Sequence, residues 1–144
     1  MIKFIQAEDT LPLRSLVLRN GAPLAEAKME EDLTATTFHL GYFNEAGELL
    51  CILTCQQQTH AAFEGAGYRL RGMATHPDAR QQGLAKQLLL AAIQHLKEVL
   101  NVDYLWFNAR VVALPFYEKL QFEYLSTEFD IPGIGPHREM GMRF

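Results

Sequence analysis

With 144 residues, 49% of them hydrophobic and 21% charged, the chain is large enough for one cored domain over residues 1–144 and far from the polar bias of disordered proteins. Its formal net charge of -4 offers no basic field to a phosphate backbone, so no nucleic-acid partner is expected. No apolar run nears the roughly 20 residues of a bilayer span, and Met1 to Gln6 lacks the apolar core of a secretion signal, so the sequence reads as cytoplasmic with no membrane partner.

Ile2 to Gln6 alternates apolar and polar residues and predicts a first strand. Leu11, Leu13, Leu16, Val17 and Leu18 then fall at helical spacings, predicting a helix capped by Asp9 or Thr10 and ending before Asn20-Gly21. The acidic stretch from Ala22 to Asp32 fits a short helix or a loop, and periodicity does not decide between them. Thr37 to Phe43 and Leu49 to Thr59 are rich in β-favouring residues with Asn44-Glu45-Ala46-Gly47 between them, which predicts a hairpin. Tyr68 to Thr75, after Gly65-Ala66-Gly67, is a further strand stopped by His76-Pro77-Asp78.

The strongest helix begins near Gly83. Leu84, Leu88, Ala92, Leu96 and Val99 form its apolar stripe, widened by Leu89, Ile93 and Leu100. Tyr104 to Phe107 reads as a short strand, Val112 to Leu120 as a short helix, and Phe122 to Phe129 and Arg138 to Phe144 as closing strands. Hairpins beside a β-α-β unit predict an α/β fold with a mixed, mostly antiparallel central sheet and flanking helices. The only cysteines, Cys51 and Cys55, would stand about 13 Å apart on a strand, too far for a disulfide, so two buried thiols are expected. No Cys/His spacing suggests a metal.

Chemistry concentrates at Arg80-Gln81-Gln82-Gly83-Leu84-Ala85, where a strand turns into the long helix. The first turn of a helix carries unpaired N–H groups and the positive dipole end, which together favour an anion. Small residues at Gly83 and Ala85 let a phosphate approach the backbone, although the same residues also suit tight packing against a strand. Neither Gly-x-x-x-x-Gly-Lys-Ser/Thr nor Gly-x-Gly-x-x-Gly occurs, which argues against ATP and NAD.

This stretch resembles the phosphate-binding signature of the GNAT acetyltransferase superfamily, Arg/Gln-x-x-Gly-x-Gly/Ala, with Arg80, Gly83 and Ala85 in the matching positions. The resemblance runs upstream through Met73-Ala74-Thr75-His76-Pro77 and into Leu88-Leu89. Asn108-Ala109 and Ala113 to Phe122 resemble the second motif of that family, Asn-Ala-x-x-x-Ala-x-x-Phe-Tyr-x-x-x-Gly-Phe. Gln121 stands where the family has glycine, so either Gln121 is left-handed or the turn differs. Phe129 to Met140 is similar to the tail of small bacterial members, with Gly135 as an extra residue.

The resemblance implies an N-acetyltransferase that moves the acetyl group of acetyl-CoA onto an amine by direct attack, acting as a monomer or homodimer. It implies that the pantetheine arm pairs with the backbone of Met73, Ala74 and Thr75. The pyrophosphate would take N–H groups from Gln81, Gln82, Gly83, Leu84, Ala85 and Lys86, with Arg80 or Lys86 adding charge. Tyr117 would protonate the departing thiolate, and Asn108 would contact the cofactor or an ordered water. Arg69 stands where histone-acetylating relatives carry a glutamate base. Arg69, Arg71 and Met73 alternate onto one strand face, so the two arginines would favour an anionic acceptor or else pair with Glu26 to Asp32. His137 lies in the family-like tail and is a candidate acceptor contact. A non-catalytic acyl-CoA-binding domain is the competing class, and Tyr117, a proton donor that such a domain does not need, argues against it.

Overall fold

The computed structural model describes residues 1–144. Its strands are β1 (Ile2–Ile5), β2 (Phe38–Phe43), β3 (Leu49–Gln57), β4 (Gly67–Thr75), β5 (Tyr104–Arg110), β6 (Glu123–Tyr124), β7 (Phe129–Ile131) and β8 (Gly135–Arg143). Its helices are α1 (Ala7–Leu13), α2 (Leu84–Glu98) and α3 (Leu114–Lys119). The chain falls into two compact units, Met1–Gln57 with Leu70–Leu100 and Gln58–Arg69 with Asn101–Phe144.

In the first unit β1, β2, β3 and β4 neighbour one another in that order, with β1 and β3 antiparallel to β2. Strand alternation sends His39, Gly41, Ile52 and Thr54 to one face and Phe38, Leu40, Cys51, Leu53 and Cys55 to the other. The first face meets α1, since Leu13 packs with Ile52 and Ala74. The second face meets α2, whose His95 ring lies 4.9 Å from Phe38. Leu84, Leu88, Leu89, Ala92, Ile93 and Leu96 form the buried stripe of α2. Val99 and Leu100, expected on that stripe, lie past the helix end and are exposed.

Helix α1 starts earlier than its apolar spacing suggested. Gln6 is the N-cap, and Asp9 is the third helical residue, accepting the Gln6 N–H through its carboxylate at 2.9 Å. Pro12 removes one helical N–H, and the chain continues from Arg14 to Leu18 as a π-helical turn before left-handed Asn20 and Gly21 end it. The open stretch after Ala22 contains a 3-10 turn over Leu24–Ala27.

In the second unit β5 is parallel to the start of β4 and antiparallel to β8, which also pairs with β6 and β7. The sheet is mixed and mostly antiparallel, as the element order predicts. The single closing strand expected from Phe122 to Phe129 is instead the short strand β6 and the separate strand β7, joined through Ser126, whose hydroxyl accepts the Glu139 N–H at 2.8 Å. Gln121 adopts φ +70°, so the glycine-type helix end is kept with a strained residue. The bond from Phe122 N–H to the Tyr117 carbonyl, 3.2 Å, closes it. Cys51 and Cys55 are buried free thiols.

Candidate active site

Gly83 caps α2 with φ +76° and ψ +13°, in the left-handed region that suits glycine. A Cβ built there would meet nothing within 4 Å, so backbone conformation rather than tight packing requires the glycine. No side chain caps this end, and its first turn contains no acid. The first ladder bond runs from Gln87 N–H to the Gly83 carbonyl at 3.1 Å, so Leu84, Ala85 and Lys86 present N–H groups without helical partners. Arg80 and Lys86 are exposed, while Gln81 is held left-handed at φ +61°. Helix α2, 15 residues long, therefore opens on a free, acid-less N-terminus, where the dipole and the unpartnered N–H groups favour an anion.

Upstream, β4 is not regular. Gly72 has φ +59°, and a Cβ there would lie 3.0 Å from Arg14 Nε and 3.2 Å from Met29 Cε. Gly72 and Ala74 therefore face α1, whereas Thr75 bonds Cys51 Sγ at 3.3 Å on the α2 face. Met73 falls with Thr75. The left-handed Gly72 interrupts the regular strand conformation on which the single face of Arg69, Arg71 and Met73 was predicted.

Beneath Gly72 lies a buried polar network that the sequence does not announce. Arg14, 1% exposed, donates from Nη1 and Nη2 to the two Asp32 carboxylate oxygens at 2.7 and 2.8 Å. It also donates to Thr54 Oγ1 at 2.8 Å and the Ala27 carbonyl at 3.2 Å. His39 Nε2 lies 3.1 Å from the Asp32 carbonyl, which can only accept, so the ring proton is on Nε2 and Thr54 donates to Nδ1 at 2.7 Å. Burial would raise the Asp32 carboxyl, but the bonds from Arg14 and the Met29 N–H and the Arg14 charge hold it below its ordinary value. Arg14 thus engages both carboxylate oxygens of Asp32. Half-buried Arg71 has its pKa lowered by desolvation and by the charges of Arg14 and Arg19, against the opposing pull of Asp32.

The second unit gathers other predicted residues. Arg69 lies over the Trp106 ring, 4.9 Å from its centroid. Trp106 Nε1 donates to the Gln58 carbonyl at 3.0 Å, and the His60 ring stands 4.8 Å from the indole. The Ala62 N–H donates to His60 Nδ1 at 3.0 Å, which places the ring proton on Nε2, 3.1 Å from Glu139 Oε2. Glu139 sits directly across the ladder from Asn108, so the two share a face. The Asn108 side-chain carbonyl is buried and receives no hydrogen bond.

Tyr117 is buried, with its ring 4.3 Å from Phe107 and 5.0 Å from Phe116. Burial alone pushes its phenol well above the ordinary value, so it stays protonated across the physiological range. His137 is 5% exposed, and its Nδ1 donates to the Gly135 carbonyl at 2.8 Å within the β7–β8 hairpin. It therefore supports the hairpin that the extra Gly135, at φ +119°, makes possible. His60 and Glu139, 79 residues apart, carry no local signal that sequence reading could use.

A family model described as "Acetyltransferase (GNAT) domain" matches residues 40–124. The chain is 38% identical over 137 residues to the uncharacterized N-acetyltransferase YitI of Bacillus subtilis (strain 168), covering 94% of this chain and 91% of that one. In fold it is similar to a putative N-acetyltransferase from Lactobacillus plantarum, with TM-score 0.78, 19% identity and coverage of 99% and 97% of the two chains. It is also similar to an acyl-CoA N-acyltransferase from Pseudomonas aeruginosa, with TM-score 0.73, 21% identity and coverage of 98% and 96%.

Proposed function

The chain belongs to the GNAT acetyltransferase family and is an N-acetyltransferase; from that premise we propose that it moves the acetyl group of acetyl-CoA to a primary amine that carries an anionic group nearby. The observation that carries the cofactor reading is the uncapped, acid-less start of α2 behind left-handed Gly83. When bound, acetyl-CoA supplies the thioester carbonyl and the thiolate leaving group. In this reading the N–H groups from Gln81 to Lys86 hold the pyrophosphate, with Arg80 and Lys86 adding charge, and the backbone of Met73, Ala74 and Thr75 holds the pantetheine arm. Tyr117 carries the proton for the sulfur, and the buried Asn108 carbonyl is an acceptor for a cofactor N–H or an ordered water.

Gly83→Glu tests the loop. A ligand that binds only the folded protein stabilises it by RT ln(1 + [L]/Kd), about 2.7 kcal/mol at a hundredfold excess over Kd. The wild type is expected to melt higher with acetyl-CoA, and the variant is expected not to respond, because it adds a negative side chain and strains a φ of +76°. A full response in the variant would place the pyrophosphate elsewhere.

The acceptor preference rests on Arg71. Its half-buried guanidinium is opposed by the charges of Arg14 and Arg19, and the Asp32 carboxylate that attracts it is paired bidentately with Arg14, so an anionic group on the substrate would relieve the repulsion. Arg69 is left out of this role because it packs on Trp106. Arg71→Ala is expected to cost about 1.5 to 3 kcal/mol in kcat/KM for an amine bearing a carboxylate and little for its neutral analogue. Equal losses for the two amines, or a wild type that prefers polycationic amines, would make Arg71 a fold residue.

A further inference from the structure

An amine that attacks a thioester must lose a proton, and β4 offers arginines where a carboxylate base would stand. The second unit holds one carboxylate that is built in. Glu139 Oε2 receives the Nε2–H of a neutral His60, whose other nitrogen is fixed by the Ala62 N–H. His60 is itself wedged against Trp106, and its backbone N–H donates to the Tyr104 hydroxyl at 2.7 Å. The Glu139 side chain keeps 28% exposure, and His60 engages its Oε2. Across the ladder stands Asn108 with a buried side-chain carbonyl that no donor reaches. Two acceptors side by side on one face, one charged and one orphaned, match a group rich in N–H donors.

We propose that Glu139, oriented by His60 and flanked by Asn108, holds the acceptor amine and takes up its proton during acetyl transfer. The proton-transfer part rests on the acetyltransferase reading above; the amine-binding part does not. As the amine nitrogen bonds to the acetyl carbon and the carbon–sulfur bond breaks, one N–H proton passes to Glu139 Oε1, and the Tyr117 hydroxyl gives its proton to the sulfur and regains one from solvent. Amide and free thiol leave, and Glu139 returns its proton to solvent. The Asn108 carbonyl has two lone pairs, so bonding the amine leaves room for a cofactor contact. The ionisable groups around Glu139 are His60 from the loop before β4, Arg69 on β4, Tyr104 and Arg110 on β5, His137 and Arg143 on β8, and Glu123 on β6. His60 is a positioning residue, because it acts through Glu139.

Trp106 is the only tryptophan and touches His60, so its indole N–H signal in a nitrogen-15 spectrum reports on this cluster. Propylammonium chloride is the probe, and tetramethylammonium chloride is a control with the same charge and no N–H. The wild type is expected to show a saturable shift with propylammonium only, weakened at least tenfold in Glu139→Gln and in Asn108→Ala. Glu139→Gln keeps an oxygen for His60 and is expected to melt with the wild type. Turnover of acetyl-CoA with the fastest amine is expected to fall about 10² to 10⁴-fold in Glu139→Gln, with a changed pH profile. His60→Asn is expected to move that profile while Glu139 stays in place. Equal binding in wild type and variants, a response to tetramethylammonium, or wild-type turnover in Glu139→Gln would overturn the proposal. A wild type that binds propylammonium as described yet turns over no amine would contradict acetyl transfer and leave the amine subsite standing.

Discussion

Tyr117→Phe is expected to slow turnover on the best amine by about 10² to 10⁴-fold while acetyl-CoA affinity stays nearly unchanged, the signature of a lost general acid. The substitution removes one oxygen and keeps the ring, so contacts with Phe107, Phe116 and Phe122 persist. Burial holds the phenol protonated well past neutral pH. A phenol pushed up in this way gives its proton readily only to a strong base. A thiolate released in the same apolar surroundings is such a base, because burial raises thiols too, as Cys55 in this chain illustrates. Thermal shifts with acetyl-CoA and single-turnover rates separate binding from chemistry. A variant with wild-type kcat, when chemistry limits the rate, would make Tyr117 a packing residue.

The second large effect is on stability. Asp32→Ala would leave the Arg14 guanidinium, 1% exposed, without its carboxylate, and breaking such a buried pair costs about 3 to 5 kcal/mol. For a domain of this size the melting temperature is expected to fall by roughly 6 to 20 °C. Replacing both partners by apolar residues, as in Arg14→Met with Asp32→Leu, is expected to recover much of the loss. The same network sets the acid response. Burial and the Arg14 charge lower the His39 pKa below its ordinary 6.5, against the opposing bond and charge of Asp32. The folded state therefore resists a proton that the unfolded chain accepts, and the stability His39 contributes is complete above pH 6.5 and is lost as pH falls through its folded value. Asp32, depressed below 3.8, contributes stability that is present above that pH and lost on further acidification. Melting temperature should thus begin to decline below about pH 6.5, and Asp32→Ala measured at pH 7 within about 1 kcal/mol of wild type would show that Arg14 does not depend on Asp32.

What could be read in advance was local. The stripe of α2, the Gly83 loop and the hairpin around Gly47 declare themselves within windows of a few residues, where period and turn chemistry act. The kink at Gly72 did not, because a glycine in a strand pattern is compatible with regular alternation until its φ is known. Arg14 and Asp32, 18 residues apart, meet only because α1 and the segment after it fold onto β3. The break between β6 and β7 likewise depends on Ser126 capturing the Glu139 N–H, a contact between segments 13 residues apart.

Acetyl transfer to an amine is tested by mixing the protein with acetyl-CoA and matched amines with and without a carboxylate, following free thiol and product mass. Thiol release is expected to require both protein and amine, to be faster with the carboxylate-bearing amine, and to yield that amine heavier by one acetyl group. Thiol release no faster with any amine than without, from a protein that acetyl-CoA still stabilises, would contradict acetyl transfer and leave a domain that only binds the cofactor.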